Sequence, residues 1–256
     1  MKLRHVAECA RALGVARRPL PLVKARLRLG RTVYPLDFTS RGGTQVLLED
    51  DGDLTTLWHV CFGKEYDLPR DAKRIVDLGA NIGVFALWAL SQAPESEVFC
   101  VEAFPQTAER LTQSLKNNGL ESRCRVLNCA VGGRRGALAF DARPNVTSNQ
   151  RHAVHVASWK EIQETIEVPQ ITLADALDAS GFEEVDFLKI DIEGSEFEML
   201  EEASRETLRR SRRIALEWHG NGSFGDLRRA LEEHGFAFEH GSAPDAISGL
   251  ASFARV

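Results

Sequence analysis

The chain of 256 residues lacks several features that would assign it to other protein classes. Its longest apolar stretch, residues 75–90, is interrupted by Asp77 and Asn81 and cannot span a bilayer. No apolar signal region follows the basic N-terminus, because Glu8 and Arg11 interrupt it. A global positive charge is also missing, since the formal net charge is −5. We therefore expect neither an integral membrane segment nor a nucleic-acid partner.

Cysteines are few, odd in number and never arranged as C-x-x-C. The five of them are scattered at Cys9, Cys61, Cys100, Cys124 and Cys129. This pattern argues against a structural metal site or a disulfide framework and favours small reduced core residues. A reducing compartment follows, so the sequence predicts a cytoplasmic protein.

The first quarter of the chain contains no nucleotide-binding motif. Apolar residues recur at helical spacing in Leu3, Val6, Ala10 and Leu13, which predicts an amphipathic helix over 2–13. Further elements follow from composition and turn signals: strands at 26–38 and 44–49 and a helix at 53–62. We expect residues 1–62 to form a helical and hairpin extension that covers a core domain at 63–256.

This extension is strongly basic at its start. Residues 1–31 contain nine Lys or Arg and one acid, Glu8. We interpret the charge as a solvated basic face on a helix that docks on the domain. A homodimer contact, or a surface for an anionic substrate or membrane, remains an alternative.

From residue 73 onward, short β runs alternate with helical segments. Strands are predicted at 74–77, 97–102, 123–129, 186–190, 213–217, 236–239 and 247–255. Helices are predicted at 83–92, 106–117, 195–203 and 224–234. Such alternation is typical of an α/β fold with a parallel sheet, and the last two strands form an antiparallel hairpin. The long stretch 131–184 predicts added strands near 137–140 and 166–172 and an ordered loop around 144–150.

A glycine loop, Asp77-Leu-Gly-Ala-Asn-Ile-Gly83, joins the first of these strands to a helix. Gly79 and Gly83 permit a tight turn and close approach of a ligand, and the helix N-terminus should offer free N–H groups. The pattern G-x-G-x-x-G, typical of dinucleotide pyrophosphate sites, is absent. Asp77 suits a cation such as an amino acid ammonium. Glu102 ends the second strand, where a carboxylate accepts hydrogen bonds from ribose hydroxyls.

Two later strand ends carry further candidates. Lys189 lies within a buried strand and needs a partner there, while Asp191 and Glu193 follow at its carboxyl end. Glu217 and His219 lie on the same side of the next strand, and His219 is the candidate general base. Asp191, Glu193, Glu217 and His219 could ligate a metal, but nothing in their spacing selects that option, so we predict none.

At this point the sequence resembles the FkbM family of S-adenosylmethionine-dependent methyltransferases. The resemblance runs from about residue 60 to residue 220. It is carried by the segments 76–83, 128–132 and 187–196, by Glu102, and by Glu217-Trp-His219. The most specific of these is the Lys-Ile-Asp-Ile-Glu-Gly run that begins at Lys189.

The resemblance implies a class I methyltransferase Rossmann-like fold, with a seven-stranded, mostly parallel sheet and an antiparallel last strand. It also implies an O-methyltransferase that acts on a hydroxyl of a natural product, sugar or glycan. The implied S-adenosylmethionine contacts are Asp77, Gly79, Ala80, Asn81 and Gly83 for the methionine part, Glu102 and Ala103 for the ribose, Asn128, Ala130 and Val131 for the adenine, Asp191 near the methyl group, and Tyr66 as part of a closing segment.

For catalysis we expect His219 to deprotonate the acceptor, with Asp191 or Glu217 orienting it or sharing the work, and with Glu193 and Lys189 in the same cluster. Two alternatives stay open. One is a nicotinamide-dependent oxidoreductase on the same fold, and the other is a catalytically silent cofactor-binding protein.

Overall fold

A computed structural model describes residues 3–142, 164–220, 222–241 and 248–256. The loop expected around 144–150 lies outside the described residues. Numbered in chain order, the described helices are α1 (Leu3–Val15), α2 (Pro19–Arg26), α3 (Asp51–Leu57), α4 (Val84–Gln92), α5 (Pro105–Asn117), α6 (Leu173–Ser180), α7 (Glu196–Glu202), α8 (Arg205–Arg209) and α9 (Phe224–Glu233). The described strands are β1 (Leu36–Thr39), β2 (Gln45–Leu48), β3 (Arg74–Leu78), β4 (Glu97–Glu102), β5 (Cys124–Asn128), β6 (Ala130–Val131), β7 (Gly136–Ala142), β8 (Glu164–Ile171), β9 (Phe187–Ile190), β10 (Arg213–His219), β11 (Phe236–Gly241) and β12 (Ser248–Arg255).

Seven strands form the central sheet, in the order β11-β12-β10-β9-β3-β4-β5. The pairs β10–β9, β9–β3, β3–β4 and β4–β5 are parallel. The last strand, β12, lies between β10 and β11 and is antiparallel to both. The predicted α/β fold, with a seven-stranded and mostly parallel sheet and an antiparallel last strand, is therefore confirmed.

The sheet is buried on both faces, and successive residues of a strand belong to different cores. Ile75 of β3 packs in one hydrophobic cluster with α4, while Val76 packs in the other with α6 and α9. This alternation follows from the pleat, and it explains why the strands read as continuous apolar runs. Because strands β10, β9, β3, β4 and β5 are parallel, their carboxyl ends lie at one edge of the sheet, where ligand sites form in open α/β folds.

Some predicted elements are wrong in detail. In place of the strand expected at 26–38, the structure has a shorter strand at Leu36–Thr39. The preceding segment Pro19–Arg26 is a helix, and it begins at a proline, a residue that favours the first helical turn. The helix expected at 53–62 is α-helical to Leu57 and becomes a π-helix over Trp58–Gly63. Within 131–184, β7 and β8 pair as antiparallel strands, but α6 was missed although Thr172 and Asp175 form its capping box.

The first helix has the opposite orientation to the predicted one. Its apolar stripe faces solvent, with Val6 47% and Leu13 50% exposed, whereas Glu8 is fully buried. Glu8 can be buried because Arg26 of α2 donates to its carboxylate at 2.6 Å. Among residues 5–15 of α1 the exposed positions are apolar or glycine, and exposed basic side chains follow the helix at Arg17, Arg18, Lys24, Arg28 and Arg31.

All five cysteines are free, as expected, and Cys100, Cys124 and Cys129 are buried. Within the described ranges, no helix combines the length and the apolar character needed to cross a lipid bilayer. The division of the chain at residue 62 stays a prediction.

Candidate functional site

A cleft of about 210 Å³ opens at the carboxyl ends of the central strands. Among the predicted cofactor-binding residues, its walls include Tyr66, Gly79, Ala80, Asn81, Glu102, Ala103, Ala130, Val131 and Asp191. Among the predicted catalytic residues, its walls include Lys189, Asp191, Glu193 and Glu217. Four predicted site residues are not among the lining residues and instead contact residues of the cleft walls or of the loops that carry them: Asp77, Gly83, Asn128 and His219.

The glycine loop has no spare N–H groups between residues 79 and 83. The amides of Gly79 and Ala80 both donate to the Val101 carbonyl of β4, at 2.9 and 3.0 Å. The remaining three amides donate to the Glu102 carboxylate, to the Asn81 side chain and to the Ala80 carbonyl. All five amides of the loop thus have acceptors within the protein, and the free N–H groups expected at the helix N-terminus stay a prediction. A loop whose donors are already used is poorly suited to a phosphate and leaves acceptors for a cation.

Gly79 is required by a close approach of two backbone segments. It has a positive φ of +77°, and a Cβ atom there would lie 1.7 Å from the Asp191 carbonyl oxygen. Any side chain at this position would push the glycine loop away from the end of β9. The contact therefore fixes the distance between the loop and Asp191 across the cleft.

Glu102 closes the other side of the loop. Its Oε2 accepts from the Asn81 amide and its Oε1 from the Phe104 amide, both at 2.8 Å. Burial raises the pKa of Glu102 to about 7, although these two amides favour the ionised form. Each carboxylate oxygen retains acceptor capacity toward the cleft, which suits a pair of neighbouring hydroxyls.

An ion pair lies beneath the loop. Lys189 is only 4% exposed, and its Nζ donates to Asp77 Oδ1 at 2.9 Å and to the Gly79 carbonyl at 3.0 Å. Burial alone would lower the pKa of Lys189, but the neighbouring carboxylates of Asp77 and Asp191 raise it well above its usual value. Asp77 thus acts on the site indirectly, by holding Lys189 under the loop. The requirement that Lys189 be paired is confirmed.

Two further predicted contacts brace the walls from outside. The Asn128 side-chain amide donates to the carbonyls of Glu102 and Ala103, both at 2.9 Å. Gly83 begins α4 with a positive φ of +86°, and a Cβ atom there would meet the Leu111 side chain at 2.2 Å. Both residues set the shape of the loop without lining the cleft.

The opposite wall is rich in carboxylates. Glu217 of β10 faces Asp191, and burial together with the Asp191 charge raises the pKa of Glu217 to about 8. Asp191 lies 3.7 Å from Lys189 Nζ. Glu193 also lines the cleft and is held in the left-handed region, with a φ of +51°. A carboxylate with its pKa near neutrality is suited to proton transfer.

His219 is surrounded by acids and lies behind this wall. Its Nδ1 is 3.1 Å from Glu196 Oε1, and its Nε2 is 3.7 Å from Glu193 and 3.9 Å from Glu217. Burial lowers the pKa of His219, but the carboxylates of Glu196, Glu193 and Asp191 outweigh burial and raise it to about 9. At neutral pH the ring is therefore a cation, which argues against the expected role of His219 as the base.

Glu196 organises the loop between β9 and α7. It is fully buried, and its carboxylate accepts from the amides of Ile192 and Gly194 at 3.1 Å as well as contacting His219. Glu196 is also an acid in the first turn of α7. The loop it holds carries Asp191 and Glu193 to the cleft.

Three of these residues also form a possible cation site. Asp191, Glu193 and His219 offer ligand atoms that lie within 4.8 Å of one another. Oxygen and imidazole ligands suit several divalent metals. Because the His219 ring is protonated at neutral pH, a metal ion would have to displace its proton in order to bind here.

Sequence reasoning missed the part of the cleft that the extension builds. Thr55, Thr56 and His59, from α3 and the π-helical segment 58–63, line the cleft opposite the glycine loop. His59 Nδ1 lies 3.5 Å from Glu65 Oε2. An ion pair of 2.6 Å between buried Asp53 of α3 and Arg110 of α5 holds the segment that carries these side chains against the core domain. No local pattern signals a contact over this sequence distance, although π-helical turns are frequent at functional sites.

Comparison with known proteins matches residues 77–238 to the methyltransferase FkbM domain. Similar proteins include the methyltransferase sdnD of Sordaria araneosa, 26% identical over 70% of this chain and 80% of that one. The 31-O-demethyl-FK506 methyltransferase FkbM of Streptomyces tacrolimicus is 27% identical over 65% of this chain and 74% of its own. The 2-O-methyltransferase NoeI of Sinorhizobium fredii is 26% identical over 56% and 62%, respectively.

The matched region contains the glycine loop, Glu102, and the strand ends that carry Asp191 and Glu217. It covers well over half of the chain and coincides with most of the central sheet. On this match, together with the seven-stranded topology, the chain belongs to the methyltransferase FkbM domain family.

Proposed function

We propose that the protein is an S-adenosylmethionine-dependent O-methyltransferase that acts on a hydroxyl group of a small molecule, sugar or glycan. The family membership supports methyl transfer, and two relatives, the 2-O-methyltransferase NoeI and the 31-O-demethyl-FK506 methyltransferase FkbM, are named for an oxygen acceptor. The observation that carries the proposal is a cleft with a glycine loop on one wall, whose amides are already bonded, and titratable carboxylates on the other.

The cofactor would be held by groups of matching polarity. Glu102 would accept hydrogen bonds from both ribose hydroxyls, and the acceptor-rich edge near Gly79 and Asp191 would receive the methionine ammonium. Ala130 and Val131 would flank the adenine, and Tyr66 would cover the cleft from the side of the extension. When bound, S-adenosylmethionine supplies an electrophilic methyl group whose leaving group is a neutral thioether.

We assign the deprotonation of the acceptor to Glu217 rather than to His219. Glu217 lines the cleft, and its pKa near 8 makes the carboxylate basic enough to receive a hydroxyl proton as the new bond forms. The charge of Asp191 helps to keep the pKa of Glu217 raised. His219 acts as a positioning cation that holds Glu193 and Glu196. The walls supply orientation, which is a large part of the rate gain in such transfers.

A nicotinamide-dependent oxidoreductase is disfavoured by the same loop. The loop lacks the three glycines of the G-x-G-x-x-G pattern, and the five amides of residues 79–83 already donate to protein acceptors, so the loop itself offers no N–H group to a pyrophosphate. A silent cofactor-binding protein is disfavoured by the titratable cluster beside the cleft, since perturbed acids concentrate at reactive sites.

The proposal is tested in two steps. Isothermal titration should detect binding of S-adenosylmethionine and none of NAD⁺ or NADP⁺. A radiolabelled methyl assay against polyketide and glycan extracts should then transfer label to a product that survives under conditions that hydrolyse methyl esters. Binding of a dinucleotide instead would support the oxidoreductase, and cofactor binding without transfer to any hydroxylated extract would support a silent protein.

A further inference from the structure

Exposed apolar side chains are concentrated in the N-terminal part of the chain. Of the eight large apolar residues that the described structure leaves exposed, six lie between residues 6 and 33. Among residues 5–15 of α1, the exposed positions are Val6, Ala7, Ala10, Leu13, Gly14 and Val15, and none of them carries a polar side chain. We call these six residues the outer face of α1. A contiguous apolar face on a helix surface marks a binding surface for another molecule or for a membrane.

The opposite side of α1 is fixed to the protein by its polar residues. Buried Glu8 is paired with Arg26, and the Arg11 guanidinium donates to the Phe62 carbonyl. Ala12 is fully buried between them. The helix cannot rotate its outer face inward without breaking this buried ion pair, which is costly when one partner loses the other. The exposed orientation is therefore a property of the folded extension.

Positive charge is concentrated in the segment of the chain that contains the outer face. The first 31 residues contain nine Lys or Arg and one acid, whereas the rest of the chain contains 23 basic and 36 acidic residues. A groove begins at the C-terminal end of α1, where Gly14 and Val15 line it. Its walls carry Arg11, Arg41, Lys64 and Arg70, against the single acid Asp67. The apolar face and the cationic groove are thus continuous.

We propose that the outer face of α1 and this groove together dock the protein on an anionic phospholipid membrane. Shallow insertion of apolar side chains beside cationic groups is the physical basis of such interfacial binding. A second copy of the chain fits less well. An antiparallel pair of α1 helices would bring Arg17 and Arg18 near the basic N-terminus of the partner, and a parallel pair would bring the same arginines together. This inference does not depend on the proposed enzymatic activity.

The test is co-sedimentation of the full chain with phosphatidylcholine vesicles, with and without phosphatidylglycerol. The protein should bind the anionic vesicles, bind the neutral vesicles weakly, and dissociate as salt is raised. The double variant Val6→Ser with Leu13→Ser should lose about tenfold or more in vesicle affinity, because both side chains leave water only on docking. The pair Lys64→Glu with Arg70→Glu should reduce binding to the anionic vesicles alone.

Two control variants make the same kinds of substitution at exposed positions away from the outer face and the groove. Leu47→Ser removes another exposed apolar side chain, on β2, and Arg229→Glu reverses an exposed charge on α9; both should bind as the unmodified protein does. Light scattering without lipid gives the remaining outcome. A dimer that becomes monomeric in the Val6/Leu13 variant would assign the outer face to a second copy and overturn the proposal, as would equal vesicle binding by that variant and the unmodified protein.

Discussion

The two walls of the cleft are held by different interactions. On the side of the glycine loop, backbone packing sets the shape: Gly79 lies against the Asp191 carbonyl, and the loop amides bond to β4 and Glu102. On the side of β10, charge balance sets it, with Glu217 and His219 both far from their usual pKa values. Substitutions in the first wall should therefore change shape and binding, and substitutions in the second should change the dependence on pH.

The largest effect is expected from Gly79→Ala. The added methyl group would collide with the Asp191 backbone, so we expect cofactor affinity to fall more than about 100-fold, together with a lower melting temperature. Calorimetric titration and thermal unfolding measure the two effects. Gly119→Ala is the matched control, since Gly119 also has a positive φ but no atom near its missing Cβ. It should cost only about 1 kcal/mol and leave cofactor affinity intact; equal losses in both variants would contradict the close-contact argument.

Glu217→Gln should mainly affect turnover. Removing the proton acceptor should reduce kcat about 100-fold while cofactor affinity is retained. In the unmodified enzyme, kcat should rise with pH through about 8, because Glu217 accepts a proton only when it is ionised. The variant should lack this rise. The exposed Glu201→Gln on α7 is the control, and a full pH profile in Glu217→Gln would remove this residue from the mechanism.

His219→Gln should change stability in a way that depends on pH. The folded-state pKa of His219 is raised from 6.5 to about 9, so its contribution is complete below about pH 6.5 and is lost as the pH rises through about 9. Since the ring is mostly buried, we expect the unmodified protein to be more stable than the variant by about 2 kcal/mol near pH 6, and by much less near pH 10. Denaturant unfolding at both values measures this. A difference that stays constant would mean that the ring does not hold its proton.

Glu102 should give the smallest of the four effects. Its ionised carboxylate is the better acceptor for a diol, so S-adenosylmethionine affinity should fall by up to about tenfold per pH unit below its pKa of about 7. Glu102→Gln should bind about tenfold more weakly and with no dependence on pH in this range. Glu97→Gln, at the exposed start of the same strand, should behave as the unmodified protein. A retained pH dependence in Glu102→Gln would assign the titration to another group.

The first wall was largely predictable from the sequence. A glycine loop after a buried strand and an acid at the end of the next strand fix the register of β3 and β4, because parallel strands end at the same edge. The sequence did not predict that the Gly79 and Ala80 amides donate to Val101, because this acceptor is a backbone carbonyl that no sequence pattern identifies.

The second wall and the extension were less predictable. The sequence indicated Asp191, Glu193, Glu217 and His219, but the raised pKa of His219 depends on three carboxylates, those of Glu196, Glu193 and Asp191, which only folding brings together. The orientation of α1 also could not be read from periodicity, which locates an apolar stripe without saying what it faces. There the buried Glu8–Arg26 pair decided the outcome.

The π-helical segment Trp58–Gly63 has a practical consequence for shortened versions of the chain. Because His59 lines the cleft and buried Asp53 ties the preceding helix to α5, a fragment that starts at residue 77, the first of the matched family region, would begin inside β3 and would lack the side chains that residues 51–63 contribute to the cleft. In such a fragment, one side of the cofactor would be exposed to solvent. The unit to express, graft or crystallise must therefore include the residues that precede the recognisable motifs.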